Sequence, residues 1–267
     1  MIDAPGIYPD LDELRYHADD DLAPHLGRSL SASGAKVLLR SPARFAWERD
    51  HPTPTTDALE IGSAVHSFIL GSGPTVSEVK ADSWRTKAAQ EERDAHRRAG
   101  MIPLLTADFE RALRVATAVS RHPLAGQIIT EGQAESSMYW IDSDTGITCR
   151  GRIDFLRANA IVDVKTTIDA TPEAFRKSIA NFGYDVQAAH YQDGIEALTG
   201  DRLPFVFVVV EKTPPYLVGV YQLDDDWLAH GADQIRQARR IYADCEAADD
   251  WPGLPLEIVT LTPPRWL

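Results

Sequence analysis

The sequence predicts an α+β fold, a small mixed β-sheet flanked by helices with an α-rich amino-terminal half wrapped onto it. Three observations point there. Before about residue 131 the apolar positions recur at helical spacing. From Gly132 the chain turns to short runs of β-branched and aromatic residues bounded by turn signals. One later run, FVFVVVEK over 205–212, is apolar almost throughout, as in a strand buried on both faces. With 267 residues, 44% of them hydrophobic and 25% charged, the chain can fill one core, so a single domain over 1–267 is expected. Within it, 1–131 would be mainly helical, 132–223 would carry the sheet, and 224–267 would form a helix and tail.

Residues 29–50 read as two short helices, with Ser31 or Ser33 as N-cap and Ser41-Pro42 restarting the second. A Pro/Thr-rich loop, HPTPTTD, follows. Over 58–71, Leu59, Ile61, Ala64, Val65, Phe68 and Ile69 have helical spacing, and Gly71-Ser72-Gly73-Pro74 ends the helix. Residues 83–100 and 106–121 are helical by composition and period. QAESSMYWI, TGITCRGRIDFLR and AIVDVKTT then form a three-stranded meander, with turns at 142–146 and at Ala158-Asn159. Thr171-Pro172-Glu173 opens a helix by capping logic, and a second, 185–199, stops at Gly200. YLVGVYQL (216–223) pairs with the 205–212 strand after a Pro-Pro turn. A helix over about 225–247 precedes an irregular tail.

The formal net charge of −13 argues against a protein that coats nucleic acid, but not against an enzyme acting on it. Basic residues cluster locally: Lys36, Arg40, Arg44 and Arg49, then Arg85, Lys87, Arg93, Arg97 and Arg98. Such faces can grip phosphates, or can be solvated helix faces balanced by Glu91, Glu92 and Asp94. Cys149 and Cys245 stand far apart, which leaves no C-x-x-C zinc site and no four-cysteine cluster. No run approaches the roughly 18 apolar residues of a membrane helix, and the start is acidic where a signal peptide would be basic then apolar. A cytoplasmic protein is expected.

Side-chain alternation puts Arg150, Arg152 and Asp154 on one face of the second meander strand, opposite Gly151, Ile153 and Phe155. In the third strand Ile161, Asp163 and Lys165 oppose Val162 and Val164. Adjacent strands thus bring two carboxylates and an ammonium together. Asp163, flanked by valines, needs an ion pair or a metal. A salt bridge of Lys165 with either aspartate satisfies that need. So does a hydrolytic site in which Asp154 and Asp163 hold a divalent ion, the Val164 backbone carbonyl adds a ligand, and Lys165 polarises water or steadies developing charge.

Asp154, eight residues, Asp163-Val164-Lys165, then Gln187-Ala188-Ala189-His190-Tyr191 on a helix resembles the PD-(D/E)XK nuclease superfamily in its RecE- and RecB-like exonuclease branch. Gly62-Ser63-Ala64-Val65-His66 resembles the Gly-x-x-x-His helix of that branch. The opening Ser29-Leu30-Ser31-Ala32-Ser33 with Ser41-Pro42, and the closing Pro263-Pro264-Arg265-Trp266, look like RecE-type exonuclease VIII nuclease domains, so the likeness runs from about residue 8 to the end. A D-x-K tripeptide alone is weak; in order with the other motifs it is strong. Ile153 replaces the proline of the superfamily name, and the second carboxylate is Asp.

The resemblance implies a restriction-endonuclease-like core, with Asp154, Asp163, Lys165, Gln187 and Tyr191 catalytic. His66, Asp154, Asp163 and the Val164 carbonyl would bind Mg²⁺, for which Mn²⁺ would substitute, with Glu135 completing the shell. Arg152, Arg85, Arg93 and Arg97 would contact DNA. The implied activity is degradation of linear double-stranded DNA from its ends, 5′ to 3′, for recombination. A homo-oligomeric ring, a phage or prophage origin and a single-strand-annealing recombinase partner are implied with it. The alternatives are an endonuclease, a RecB-like nuclease whose motor is another chain, and a non-catalytic DNA-end-binding protein.

Overall fold

Seven consecutive buried residues, Phe205–Glu211, form the strand around which the sheet is built. The computed structural model describes residues 2–9, 11–18, 22–51 and 57–263. The core of the HPTPTTD loop and Pro264, Arg265 and Trp266 of the closing motif lie outside them. In chain order the elements are β1 (Gly6–Tyr8), α1 (Glu13–Ala18), β2 (Ser29–Ser31), α2 (Ala32–Arg40), α3 (Pro42–Asp50), α4 (Asp57–Leu70), β3 (Val76–Val79), α5 (Lys87–Arg98), β4 (Ile102–Leu105), α6 (Thr106–Arg121) and α7 (Pro123–Ile128). The second half holds β5 (Gln133–Ile141), β6 (Thr148–Arg157), β7 (Ala160–Thr167), α8 (Pro172–Phe182), α9 (Tyr184–Thr199), β8 (Phe205–Glu211), β9 (Val218–Tyr221) and α10 (Asp225–Ala248).

The main sheet runs β1-β5-β6-β7-β8-β9, with β2 added on β6. β5, β6 and β7 are the antiparallel meander, β8 joins β7 in parallel, and β9 closes antiparallel on β8. The mixed sheet and most helices agree with the sequence reading, including Ser31 and Ser41 as N-caps whose side chains accept from Gly34 N and Arg44 N. The amino-terminal half is less purely helical than expected. It supplies β1 and β2 to the main sheet, and β3 and β4 as a separate parallel pair. Strands of three or four residues lack the alternation that would reveal them.

Each sheet face carries its own apolar cluster. Ile153, Ile161, Phe207 and Val209 pack with Phe175 and Ile179 of α8 and with Ala188 and Ile195 of α9. Phe155, Val162, Val164, Val208 and Val210 pack with Ala64 and Val65 of α4 and with Val115 and Val119 of α6. Full burial of each of these valine, isoleucine and phenylalanine side chains contributes about 1.5–3 kcal/mol. The expectation that Ile153 and Phe155 share a face is therefore wrong. Their strand reverses its alternation between them, at Asp154. β5 does the same, since Ala134 packs with the Phe155 cluster and Met138 with the Ile153 cluster. Register holds across the reversal, Ala134 opposite Phe155 and Ser136 opposite Ile153, so no residue is inserted. Glu135 takes the turn itself with φ of 53°, a left-handed conformation that a side chain other than glycine rarely adopts.

Candidate active site

The reversal at Asp154 coincides with a fork in the sheet. β6 pairs with β7 only from Phe155↔Val162 to Arg157↔Ala160, while its opening residues Thr148–Arg150 pair with β2 along that same edge. Between these ladders no strand among the described residues pairs with β6 on that side, and Asp154 and Asp163 stand where pairing stops. Asp154 reaches into the gap, and its Oδ2 accepts the Val164 amide at 2.7 Å, in place of the backbone acceptor a continued ladder would supply. The same oxygen lies 3.5 Å from Nδ1 of His66 on α4.

On the other strand Asp163, 1% exposed, forms a 2.7 Å ion pair with Lys165 Nζ. Gln187 of α9 brackets that pair. Its Nε2 donates to Asp163 Oδ1 at 2.7 Å, and its Oε1 accepts from Lys165 Nζ at 3.1 Å, a network that assigns the amide orientation. Tyr191, one turn further along α9, packs on β6, where a Cβ on Gly151 would come within 3.0 Å of its ring. Gly151 thus lets the helix approach the fork.

The charges follow from this packing. Burial, then the neighbouring Asp163, pushes the Asp154 carboxyl well above the usual range, so that it holds its proton more tightly than an exposed aspartate. Burial opposes the charge on Lys165, but Asp163 and Asp154 outweigh it and the ammonium is held above its ordinary pKa. His66 is pushed down, by burial and then by Lys165, and presents a neutral imidazole. Burial raises the Tyr191 phenol well above its usual value.

A cleft of about 480 Å³ is lined among others by His66, Asp154, Glu135, Arg152 and Tyr191, while Asp163, Lys165 and Gln187 stand behind its lining. The donor set fits a hard divalent ion: two crowded carboxylates, one of them raised in pKa by its neighbour, beside a neutral imidazole. Among the described residues, no three His, Cys, Asp or Glu side chains are gathered as a ready-made cage. Both oxygens of Asp163 face Gln187 and Lys165 instead, so that carboxylate would have to share itself with an ion.

The remaining expected residues are placed differently from one another. Glu135 lines the cleft but is paired with Arg152 Nε at 2.6 Å. Arg152 Nη1 also donates to the Leu11 carbonyl and to Ser137 Oγ, each at 2.8 Å, so it anchors the segment leading into α1 and β5 as well as facing the cleft. Arg97 is bidentate on Glu60 of α4, at 2.7 and 2.8 Å, and so ties α5 to the helix carrying His66. Arg93 pairs with Asp94 and lies over the Trp84 ring, while Arg85 is exposed. None of these three α5-region arginines lines the cleft.

Sequence reasoning missed the lining contributed by Glu13 and Tyr16 of α1 and by Lys212. It also missed a buried network beneath the site. Arg239 of α10 donates to Asp142 and Asp193, each at 2.9 Å, and lies 3.2 Å from His190 Nδ1. Arginine can only donate, so Nδ1 accepts and Nε2–H points at the Arg150 carbonyl, 3.0 Å away. His190 is therefore a neutral strut between α9 and β6. No signal in the sequence distinguishes it from its neighbours in the Gln187–Tyr191 motif.

A forked sheet carrying Asp154, Asp163 and Lys165, closed by a glutamine on a flanking helix, defines the class: an enzyme of the PD-(D/E)XK nuclease kind. The family model described as a PDDEXK-like domain of unknown function, DUF3799, matches residues 31–257, and the chain belongs to that family. A solved structure from Eubacterium rectale, carrying the provisional name exonuclease, is similar over 96% of this chain and 97% of its own, with TM-score 0.63 and 19% identity, and it shows the same fold. A phage-related exonuclease from Haemophilus somnus 129PT is 12% identical over 83% of this chain and 96% of its own, with TM-score 0.33. An alkaline exonuclease from Laribacter hongkongensis is 13% identical over 72% and 94%, with TM-score 0.27. No curated protein matches the sequence. Among the described residues no helix is long and apolar enough to cross a membrane.

Proposed function

We propose that this protein is a divalent-metal-dependent exodeoxyribonuclease that degrades linear double-stranded DNA from its ends. The observation that carries the reading is the pairing at the fork: two carboxylates where β6 and β7 part, with an ammonium fixed 2.7 Å from the second. Asp154, Asp163 and His66 would hold the ion, Mg²⁺ by its preference for hard oxygen donors, with Mn²⁺ as a substitute. The Val164 backbone carbonyl, being uncharged, would be the weaker ligand. When bound, the ion supplies charge neutralisation at a phosphate and a water of lowered pKa.

Lys165 keeps its proton, because both aspartates favour the ammonium. It therefore acts by stabilising the negative charge that develops on the phosphate oxygens, not by abstracting a proton. Gln187 holds Lys165 and Asp163 at fixed separation and so limits the reorganisation needed at the moment of reaction. Tyr191, with its phenol kept protonated, serves as a donor toward substrate rather than as a base. End dependence, 5′-to-3′ direction, a closed homo-oligomeric ring, a phage origin and a role in recombination beside an annealing partner rest on the RecE-type motifs quoted above, and a cytoplasmic location rests on the composition read from the sequence. The acidic surface, net −13, supports end dependence by holding internal duplex poorly.

The test compares linear duplex with the same DNA as a covalently closed circle, with Mg²⁺, using strands labelled at either end. Linear DNA is consumed progressively from its 5′ ends and the circle persists. Equal cutting of the circle would replace this reading with an endonuclease on the same residues, and binding of ends without cleavage would leave a DNA-end-binding protein.

A further inference from the structure

A second cavity, about 740 Å³, lies between α2, the α8–α9 junction and the start of α10, and Lys36 lines it. The stem of Lys36 crosses Gly183, where a Cβ would come 2.8 Å from Lys36 Cδ; a glycine is what leaves that slot open. Its Nζ donates to the Phe182 carbonyl at 2.9 Å. The same ammonium lies 5.9 Å from the centre of the Tyr184 ring, and Lys165 Nζ lies 4.8 Å from that centre. Two ammoniums thus approach one aromatic ring, one of them the lysine of the catalytic pair. Their separation cannot exceed the sum of those distances, so the two ammoniums lie close enough to contact successive stretches of one strand's phosphate backbone.

Lys165 has Asp163 as its counter-ion. Lys36 has none within ion-pair distance among the described residues; the two carboxylates that favour its charge, Asp163 and Asp185, sit against Lys165 and His230 at 2.7 and 2.6 Å. Burial, then the like charge of Lys165, lowers the Lys36 pKa to about 8. A half-buried ammonium beside another ammonium is unfavourable on its own and is relieved by an anion. Phe182, 58% exposed, and Trp227 stand at the same cavity, and aromatic side chains there can stack on a base.

We propose that Lys36 binds the phosphate next to the scissile one on the strand being cut, so that the strand runs from the catalytic cleft across Tyr184 toward the second cavity. This rests on the nuclease reading above. The experiment uses the full chain with Mg²⁺ and end-labelled duplex. If wild-type protein cleaves nothing, the nuclease reading fails and this inference fails with it. With wild-type cleavage established, Lys36→Met, which keeps the stem over Gly183 and removes the charge, is compared with wild type and with Lys36→Arg. KM should rise about tenfold in Lys36→Met with kcat little changed, and the salt slope of kcat/KM should fall by about 0.7–0.9, the signature of one phosphate contact. Lys36→Arg should recover most of both. A single neutral methylphosphonate beside the scissile position should impose the same loss on wild type and nothing further on Lys36→Met. Lys36→Gln, which removes the charge but keeps a hydrogen-bond donor on a shorter stem, replaces the methionine variant if that one fails to fold. An unchanged salt slope in the folded variant, or a methylphosphonate loss that adds in full to it, overturns the assignment, because a purely structural lysine would give that result.

Discussion

Replacing Lys165 by alanine should weaken the fold as well as the chemistry. Asp163 is 1% exposed, and its two strongest partners are Lys165 Nζ and Gln187 Nε2, both at 2.7 Å. Removing one partner of a buried ion pair typically costs about 3–5 kcal/mol, because the other charge is left uncompensated. The surviving Gln187 hydrogen bond to a charged acceptor keeps this case near the low end, about 3 kcal/mol. At about 2–4 °C per kcal/mol for a chain of this size, Tm should fall by roughly 6–12 °C. Urea unfolding without metal gives the free energy directly, provided the slope m is unchanged. Saturating Mn²⁺ should return much of the loss, since an ion at 100 times its Kd contributes about 2.7 kcal/mol and restores positive charge beside Asp163. Pairing Lys165→Ala with Asp163→Asn should cost less than the two single losses together, by about 1–3 kcal/mol. A loss under about 1 kcal/mol for Lys165→Ala, or strict additivity, would show that water already screens the pair and would refute the reasoning.

His66→Ala should weaken Mn²⁺ binding by at least about tenfold in a calorimetric titration, and unchanged affinity would make His66 a packing residue. Gly231→Ala should destabilise the fold by about 1–3 kcal/mol or more in denaturant, because its Cβ would meet the Asp185 carbonyl across the α9–α10 contact; a neutral result would mean that contact is loose. His190 is held neutral by burial and then by Arg239, with its pKa well below 6.5. The unfolded chain binds a proton there that the native state refuses, so His190 contributes stability above about pH 6.5 that is lost as pH falls, at up to about 1.4 kcal/mol per unit. His190→Gln should flatten that decline between pH 6.5 and 5, and an unchanged slope would place the proton elsewhere.

The candidate trio Asp154, Asp163 and Lys165 was legible because its chemistry is local: a D-x-K run inside a valine-rich strand conflicts with burial unless a partner or ion resolves the conflict. Gln187 and Tyr191 were legible through their helical spacing. The fork was not, because it depends on where β2 and β7 divide one edge of β6, and a three-residue strand such as Ser29–Ser31 carries too little pattern to announce itself. The reversal at Asp154 was hidden for the same reason, since alternation is a rule about regular strands and this strand is irregular at its candidate metal ligand. The α5 arginines illustrate the limit of charge counting. Arg97 reads as a phosphate ligand in one dimension and is a brace on Glu60 in three.

The hydrogen bond from the Val164 amide to Asp154 makes one backbone proton an observer of the site. That proton's chemical shift and exchange rate depend on a single carboxylate instead of on the cooperative opening of a ladder. When an ion or a proton arrives at Asp154, the Val164 amide resonance should move before any strand does. A ¹⁵N-labelled sample could therefore follow occupancy of the site in real time, with no DNA present and no bond being cut.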